Sequence, residues 1–338
     1  MSPPAPPDPT QTPSTPSTPS ASSASSAPSD PPSPDPTIAI VGLGRMGGNM
    51  ARRLRRAGIV VHGYDRGTPR AEVVDAGVRL HDSLADLVAA LPAGRPRLVW
   101  LMLPQGAPTD STIAELAPRL TAGDIVVDGG NAHYVDSVRR HETLAAQGLR
   151  FVDCGVSGGI WGYDNGYCLM FGGPADAIDA LTPIARALAP TPDTGWVHCG
   201  AVGAGHFAKM IHNGIEYGMM QALAEGFALM DGHPEYAFDL GAIAESWRHG
   251  SVVRSWLLDL SADALRSRDS LDRIAPVVAD SGEGRWTVDE AIRQGTPAPV
   301  IALSVMSRFA SQGRSAFADR LLAAMRGGFG GHPVPHED

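Results

Sequence analysis

The sequence contains a single lysine. Lysine and arginine together number 27, so every other member of that pair is arginine, and Lys209 stands alone in the stretch GHFAKMIHNGIEYGMMQ. Either residue serves as a solvated surface cation, but only lysine can be brought to lose a proton near neutral pH. Its isolation therefore raises the question of a base. Cysteine is also scarce. Cys154, Cys168 and Cys199 are odd in number, share no metal-ligand spacing and lie in apolar runs, so they read as small buried hydrophobes in a reducing compartment, the cytoplasm. No apolar run approaches the ~20 residues of a membrane span. The net charge is −9 with no basic run, which argues against a nucleic-acid partner. No His/Asp/Glu cluster has metal-ligand spacing, so no metal is expected.

With 338 residues, 43% of them hydrophobic, the chain is long enough for one large or two ordinary domains. Residues 1–36 are nearly all Pro, Ser, Thr, Ala and Asp. Such a segment buries too little apolar surface to offset its ordering entropy and reads as a disordered tail. It lacks the apolar centre of a secretory signal, and its first basic residue comes only at Arg45, unlike an Arg-rich transit peptide. From Thr37 onward short β-branched runs alternate with helical stretches: TIAIVGLG, then a helix over Met46–Ala57, then IVVHGYD, RLVWLML, DIVVDGG, GLRFVDCG and YCLMFGG. Continuous apolar strands separated by helices predict an α/β fold, a Rossmann-type doubly wound parallel sheet. After WVHCG the strand signals stop, and an all-helical C-terminal domain is expected. The predicted division is a tail (1–36), a dinucleotide-binding domain (37–202) and a helical substrate and dimerisation domain (203–333), with one long helix running from about Gly203 to Met230.

At the first strand–helix junction stands GLGRMG. Gly42, Gly44 and Gly47 have the G-x-G-x-x-G spacing, with Leu43 and Met46 between them. The first glycine permits a tight turn, the second lets a pyrophosphate approach the backbone, and the third lets helix and strand pack closely. Asp65 ends the second strand, where a carboxylate accepts from the adenosine ribose hydroxyls and repels a 2′-phosphate, favouring NAD. Arg66 beside it offsets part of that repulsion, which leaves NADP as a secondary cofactor. Ligands bind at the carboxyl ends of strands in such sheets. That places Met102 and Leu103 of MLPQG, and Asn131 of DGGN, on the nicotinamide side.

On a helical wheel of 100° per residue, Lys209, His212, Asn213, Glu216 and Tyr217 share a sector of about 140°. Met210, Ile211, Gly214, Ile215, Gly218 and Met219 fill the opposite side, which is expected to face a core, the two glycines admitting a close neighbour. Lys209 and Glu216 lie two turns apart, roughly 10 Å along the axis. A small substrate between them would meet a base at one end and an acid at the other.

GLGRMGGNM, DGGN, GVSGG and KMIHNGIEYGMMQ together resemble 6-phosphogluconate dehydrogenase, the decarboxylating member of the β-hydroxyacid dehydrogenase superfamily, and the resemblance runs from about residue 37 to 333. It implies that Lys209 takes the 3-hydroxyl proton during hydride transfer and that Glu216 protonates the enediol carbon after carbon dioxide leaves. Asn131, Ser157, Gly158, Gly159, His212 and Asn213 become contacts to substrate carboxylate and hydroxyls, and Tyr217 a phosphate ligand. Arg254 of SVVRSW joins the phosphate site. Arg326 and His332 of MRGGFGGH would come from a neighbouring subunit of a homodimer or homotetramer. The sequence departs from the family in GEGRWT, where Arg285 replaces a phosphate-binding lysine and the segment follows SVVRSW instead of preceding it. That order, the short helical domain and Asp65 resemble a short, NAD-preferring bacterial branch. The activity implied is oxidative decarboxylation of 6-phosphogluconate to ribulose 5-phosphate. Two other readings stay open: a dehydrogenase of a small unphosphorylated β-hydroxyacid, which gives no reason for Glu216 or Tyr217, and a non-catalytic NAD-binding module.

Overall fold

Two short apolar segments, TIAIV and LVWL, lie side by side at the centre of one sheet, and the glycine turn follows the first of them. The computed structural model describes residues 36–330, and all their side chains except those of residues 268–269 and 327–330. The tail and His332 lie outside the described residues. In chain order the elements are β1 (Thr37–Val41), α1 (Arg45–Arg56), β2 (Val60–Tyr64), α2 (Ala71–Asp75), β3 (Arg79–Leu80), α3 (Leu84–Ala89), β4 (Leu98–Leu101), α4 (Ala107–Leu116), β5 (Ile125–Asp128), α5 (Tyr134–Ala145) and β6 (Arg150–Ser157). Next come α6 (Gly162–Asn165), β7 (Cys168–Gly172), α7 (Ala175–Leu188), β8 (Trp196–Gly200) and the long α8 (Ala204–Asp231). The remainder is helical: α9 (Leu240–Arg248), α10 (Trp256–Leu265), α11 (Arg268–Leu271), α12 (Glu283–Gln294), α13 (Pro299–Ser311) and α14 (Ala316–Gly330).

The strands form one eight-stranded sheet in the order β3-β2-β1-β4-β5-β6-β7-β8. β1 pairs in parallel with β2 on one side and with β4 on the other, so the strand order reverses between β1 and β4. Central strands are buried on both faces, which is why β4 reads as an unbroken apolar run and β5 as three apolar residues ahead of Asp128. One core lies under α1 and α7, with Met50, Leu54, Ile178 and Leu181 against Ile38, Ile40 and Trp100. The opposite core lies under α3, α4 and α5, with Leu87, Ile113, Leu116 and Leu144 against Val99, Leu101 and Val126. A smaller third core joins α8, α9 and α10 through Phe227, Leu240, Ala244, Leu258 and Ala262.

One expectation is refined and another corrected. The Rossmann-type sheet is mostly parallel, with β7 alone running antiparallel to its neighbour β6. The link between them, residues 158–167, is too short for a parallel crossover, which needs a dozen or more residues. The cysteines are also not all buried: Cys154 is, whereas Cys168 and Cys199 are exposed. Cys168 opens β7 opposite Ser157, and Cys199 sits on β8, an edge strand on which Val197, His198 and Cys199 are all exposed. No helix among the described residues is long and apolar enough to cross a membrane.

Candidate active site

The glycine turn stands at the switch point between β1 and β4, where open α/β sheets bind their ligands. Gly42 has φ +93°, and a Cβ built on it would lie 2.5 Å from the Met102 carbonyl oxygen. A Cβ on Gly47 would collide with the Gly42 carbonyl oxygen at 1.9 Å, so both positions demand glycine. Gly44 is different: it is exposed at the start of α1, and a Cβ there would meet no protein atom. Its lack of a side chain leaves the helix N-terminus open to an approaching phosphate. Asp65, at the end of β2, accepts from the Leu43 N–H at 2.6 Å and from the Gly67 N–H at 2.7 Å. The carboxylate thus braces the turn itself and keeps lone pairs for a ribose, and Arg66 beside it is exposed.

The loops after β4 and β5 meet in front of that turn. A Cβ on Gly130 would fall 2.4 Å from the Leu103 carbonyl oxygen, and the Trp100 indole N–H donates to the Met102 sulfur at 3.2 Å. Asn131 is exposed at the end of this arrangement. Asp128 holds the loop from below, accepting from the Gly130 N–H at 3.1 Å and from buried Arg140 at 2.8 Å. Arg140 also reaches Asp110 on α4 at 2.8 Å. One guanidinium therefore ties together the two elements that carry MLPQG and DGGN.

The first turns of α8 press directly on the sheet. A Cβ on Gly155 would lie 2.4 Å from the Lys209 Cβ, and one on Gly205 would lie 2.3 Å from the Met170 carbonyl oxygen. This contact sets Lys209 over the carboxyl half of β6. Its ammonium donates to Asn213 Oδ1. Burial holds Lys209 below the usual lysine range, opposed by the charges of Glu283 and Glu216 and by Cys168. His212 has Nδ1 3.0 Å from the same Asn213 oxygen and Nε2 3.4 Å from Ser157 Oγ. Glu216 Oε2 is 3.9 Å from His212 Nδ1.

A cleft of about 1050 Å³ opens beside α8, lined by Met46 of the glycine turn, Ser157, Gly158, Gly159, His212, Glu216, Trp161 and Trp256 among others. Ile211, Ile215 and Met219 line it as well. This corrects the expected division of the helix, since Ile215 is 52% and Met219 42% exposed while Asn213 and Tyr217 are buried. The cleft lies along one edge of the polar sector, and α12 and α13 cover the other. The glycines do admit close neighbours: Gly214 abuts Thr287 and Gly218 abuts Val300.

Tyr217 is enclosed. Its hydroxyl lies 3.2 Å from Ser281 Oγ, and the Arg308 guanidinium stacks 3.4 Å above its ring. Arg285 pairs with Asp280 at 2.6 Å and is half exposed. Arg254 and Arg326 are exposed, Arg254 directly before the cleft residues Ser255 and Trp256. Two groups in this region have no counterpart among the predicted residues. One is Arg308. The other is Glu283, a buried carboxylate in GEGRWT that accepts from Asn213 Nδ2 at 2.8 Å. Among the described residues no three His, Cys, Asp or Glu side chains gather as a metal site.

A glycine turn at a reversal of strand order defines a dinucleotide-binding protein, and the partly desolvated Lys209 on the long α8 gives it a candidate proton carrier, the equipment of an oxidoreductase. Residues 37–203 match the NAD binding domain of 6-phosphogluconate dehydrogenase, and residues 205–332 match the C-terminal domain of the same enzyme. The chain belongs to the 6-phosphogluconate dehydrogenase family. It is 44% identical over 303 residues to a protein of Haloferax volcanii named NAD(+)-dependent, decarboxylating 6-phosphogluconate dehydrogenase, spanning 89% of this chain and 99% of that one. A decarboxylating 6-phosphogluconate dehydrogenase of Lactococcus lactis is 37% identical over 80% of this chain, which spans only 60% of that longer enzyme. Among solved structures, Plasmodium falciparum 6-phosphogluconate dehydrogenase superposes with a TM-score of 0.77 at 27% identity, over 89% of this chain and 66% of that chain.

Proposed function

We propose that the protein oxidises and decarboxylates 6-phosphogluconate, giving ribulose 5-phosphate and carbon dioxide, with NAD as the acceptor. The observation that carries this reading is Lys209. It is an amine depressed by burial, fixed by Asn213, and set on the same helix as His212 and Glu216, which line the cleft together with Met46 of the glycine turn. The name of the full-length Haloferax relative supports the same substrate and cofactor.

In this reading residues 37–202 hold the cofactor and 203–333 complete the substrate site. A bound NAD would supply the acceptor for the C3 hydride. Neutral Lys209 removes the C3 hydroxyl proton as that hydride leaves, so the alcohol becomes a ketone and the lysine an ammonium. The product is a β-keto acid, whose C–CO₂ bond breaks with its electron pair delocalised into the ketone. Protonated Lys209 hydrogen-bonds the resulting enolate oxygen, and Glu216 delivers a proton to the carbon that lost the carboxylate. Asn131, Ser157, the Gly158–Gly159 backbone, His212 and Asn213 orient the carboxylate and hydroxyls. The phosphate end falls to Tyr217, Arg254 and Arg285 with Arg326 and His332 of a second subunit, since guanidinium suits phosphate. Asp65 selects NAD, and Arg66 leaves NADP as a secondary cofactor.

The test is the appearance of reduced nicotinamide with 6-phosphogluconate and either NAD or NADP, with carbon dioxide trapped in parallel. Turnover with NAD and equimolar carbon dioxide is expected. No turnover with either cofactor sinks the reading, and a strong preference for NADP removes Asp65 as the selector.

A further inference from the structure

Glu283 is 4% exposed, yet it is a carboxylate in the first turn of α12. Burying such a group is costly unless it is hydrogen-bonded. One oxygen, Oε1, accepts from Asn213 Nδ2 at 2.8 Å, and the other, Oε2, is buried with no hydrogen-bond partner among the described residues. Its role is not explained by packing alone, because an apolar side chain would fill the same space without that cost.

An ionised carboxylate can only accept hydrogen bonds, so it fixes which end of the Asn213 amide faces it. The NH₂ must point to Glu283, which leaves Oδ1 for Lys209 and His212. That oxygen is itself only an acceptor. The nearby ring nitrogen, His212 Nδ1 at 3.0 Å, must therefore carry the proton. His212 Nε2 is then the free acceptor and takes the Ser157 hydroxyl 3.4 Å away. All the donors in this chain run one way, from Ser157 and Lys209 through Asn213 to Glu283. Reversing the Asn213 amide would set two donors against the Lys209 ammonium and withdraw its acceptor.

We propose that Glu283 is a positioning residue of the active site, orienting the Asn213 amide so that one oxygen holds both the Lys209 amine and the Nδ1–H tautomer of His212. This rests on the reading of Lys209 as the base. The charge of Glu283 acts through the same contact. The titratable groups facing Lys209 are Glu283 from α12, Glu216 and His212 from α8, and Cys168 from β7, and both carboxylates favour the charged ammonium against the burial that disfavours it. Glu283 thus keeps a lysine seated in a partly dry site from losing its proton too early. That matters after hydride transfer, when the ammonium must remain to steady the enolate.

Because the chain has one lysine, protein labelled with [¹³C]lysine gives one side-chain titration curve, that of Lys209. In Glu283→Gln the amide oxygen still accepts from Asn213, but the charge is gone. The Lys209 midpoint is expected to fall by at least about half a pH unit. The neutral amine is the active form, so the acidic limb of the kcat/KM profile moves to lower pH by the same amount. Glu283→Asp, which keeps the charge, is expected to hold the midpoint within a few tenths of a unit of the original. An unmoved Lys209 midpoint in Glu283→Gln overturns the proposal, as does an equal fall in both variants, which would make the effect one of packing. Wild-type protein that shows the lysine titration but does not turn over 6-phosphogluconate would refute the proposed function and leave the Glu283 measurement intact.

Discussion

Lys209 and Glu283 were unequally visible in the sequence for a physical reason. Residues on one helix advertise themselves by spacing, and the set from Lys209 to Tyr217 could be placed on a wheel without any knowledge of the fold. Glu283 meets Asn213 across 70 positions of chain, and no local period records such a contact. The sequence instead directs attention two residues on, to Arg285, whose guanidinium the structure engages with Asp280. Tyr217 shows the converse: the wheel groups it with Lys209, whereas the fold buries it, its hydroxyl beside Ser281 and its ring under Arg308. The sharpest test at this scale is Lys209→Arg. Arginine keeps the charge but cannot yield its proton, so binding of NAD should persist while kcat falls at least ~10²-fold, the usual loss of an acid–base group. Equilibrium titration of NAD alongside steady-state rates separates the two, and near-normal kcat would remove Lys209 as the base.

At the level of elements, seven of the eight strands and the long α8 were legible because apolar runs and glycine turns punctuate them, whereas β3, two exposed residues, carries no such run. The sense of β7 was not legible, because it depends on the length of a connection rather than on the strand's own residues. The helix α8 also carries more than its wheel predicts, since three kinds of neighbour surround it: sheet, cleft and helices α12 and α13. Nor does any motif mark Arg140, although it joins the loop after β5 to the start of α4. Arg140 and Asp128 are both almost wholly buried, and their contact is 2.8 Å long. Truncating one partner leaves the other an uncompensated buried charge, which costs about 3–5 kcal/mol. Arg140→Met should therefore lower the unfolding free energy in urea by that amount. With Asp128 no longer anchored, the Gly130 N–H loses a fixed acceptor and the DGGN loop its register, so KM for NAD should rise as well. A stability loss below about 1 kcal/mol would mean that the pair is no better than a surface salt bridge.

The whole molecule presents one property that a single chain does not explain. On α13, Val300, Leu303 and Met306 recur at three-residue spacing and are 65%, 66% and 53% exposed; on α14, Phe317, Leu321 and Met325 recur at four-residue spacing and are 77%, 48% and 48% exposed. Two helices with apolar stripes turned outward ask for a covering surface, and C2 association of identical chains is the commonest way to provide one. Arg326 stands exposed on the same α14, and the phosphate end of the proposed substrate requires cations. The proposed completion of the site by a second copy is tested by mixing inactive chains. A Lys209→Arg chain keeps a good Arg326, and an Arg326→Ala chain keeps a good Lys209. If Arg326 acts in the neighbour's site, random reassortment puts half of the dimers in the hybrid form, and each hybrid has one intact site of two. Activity should then return to about a quarter of the wild-type value in a dimeric enzyme. If Arg326 serves its own chain, no hybrid site is intact and mixing restores nothing, a result that would return the apolar stripes to the status of an unexplained surface.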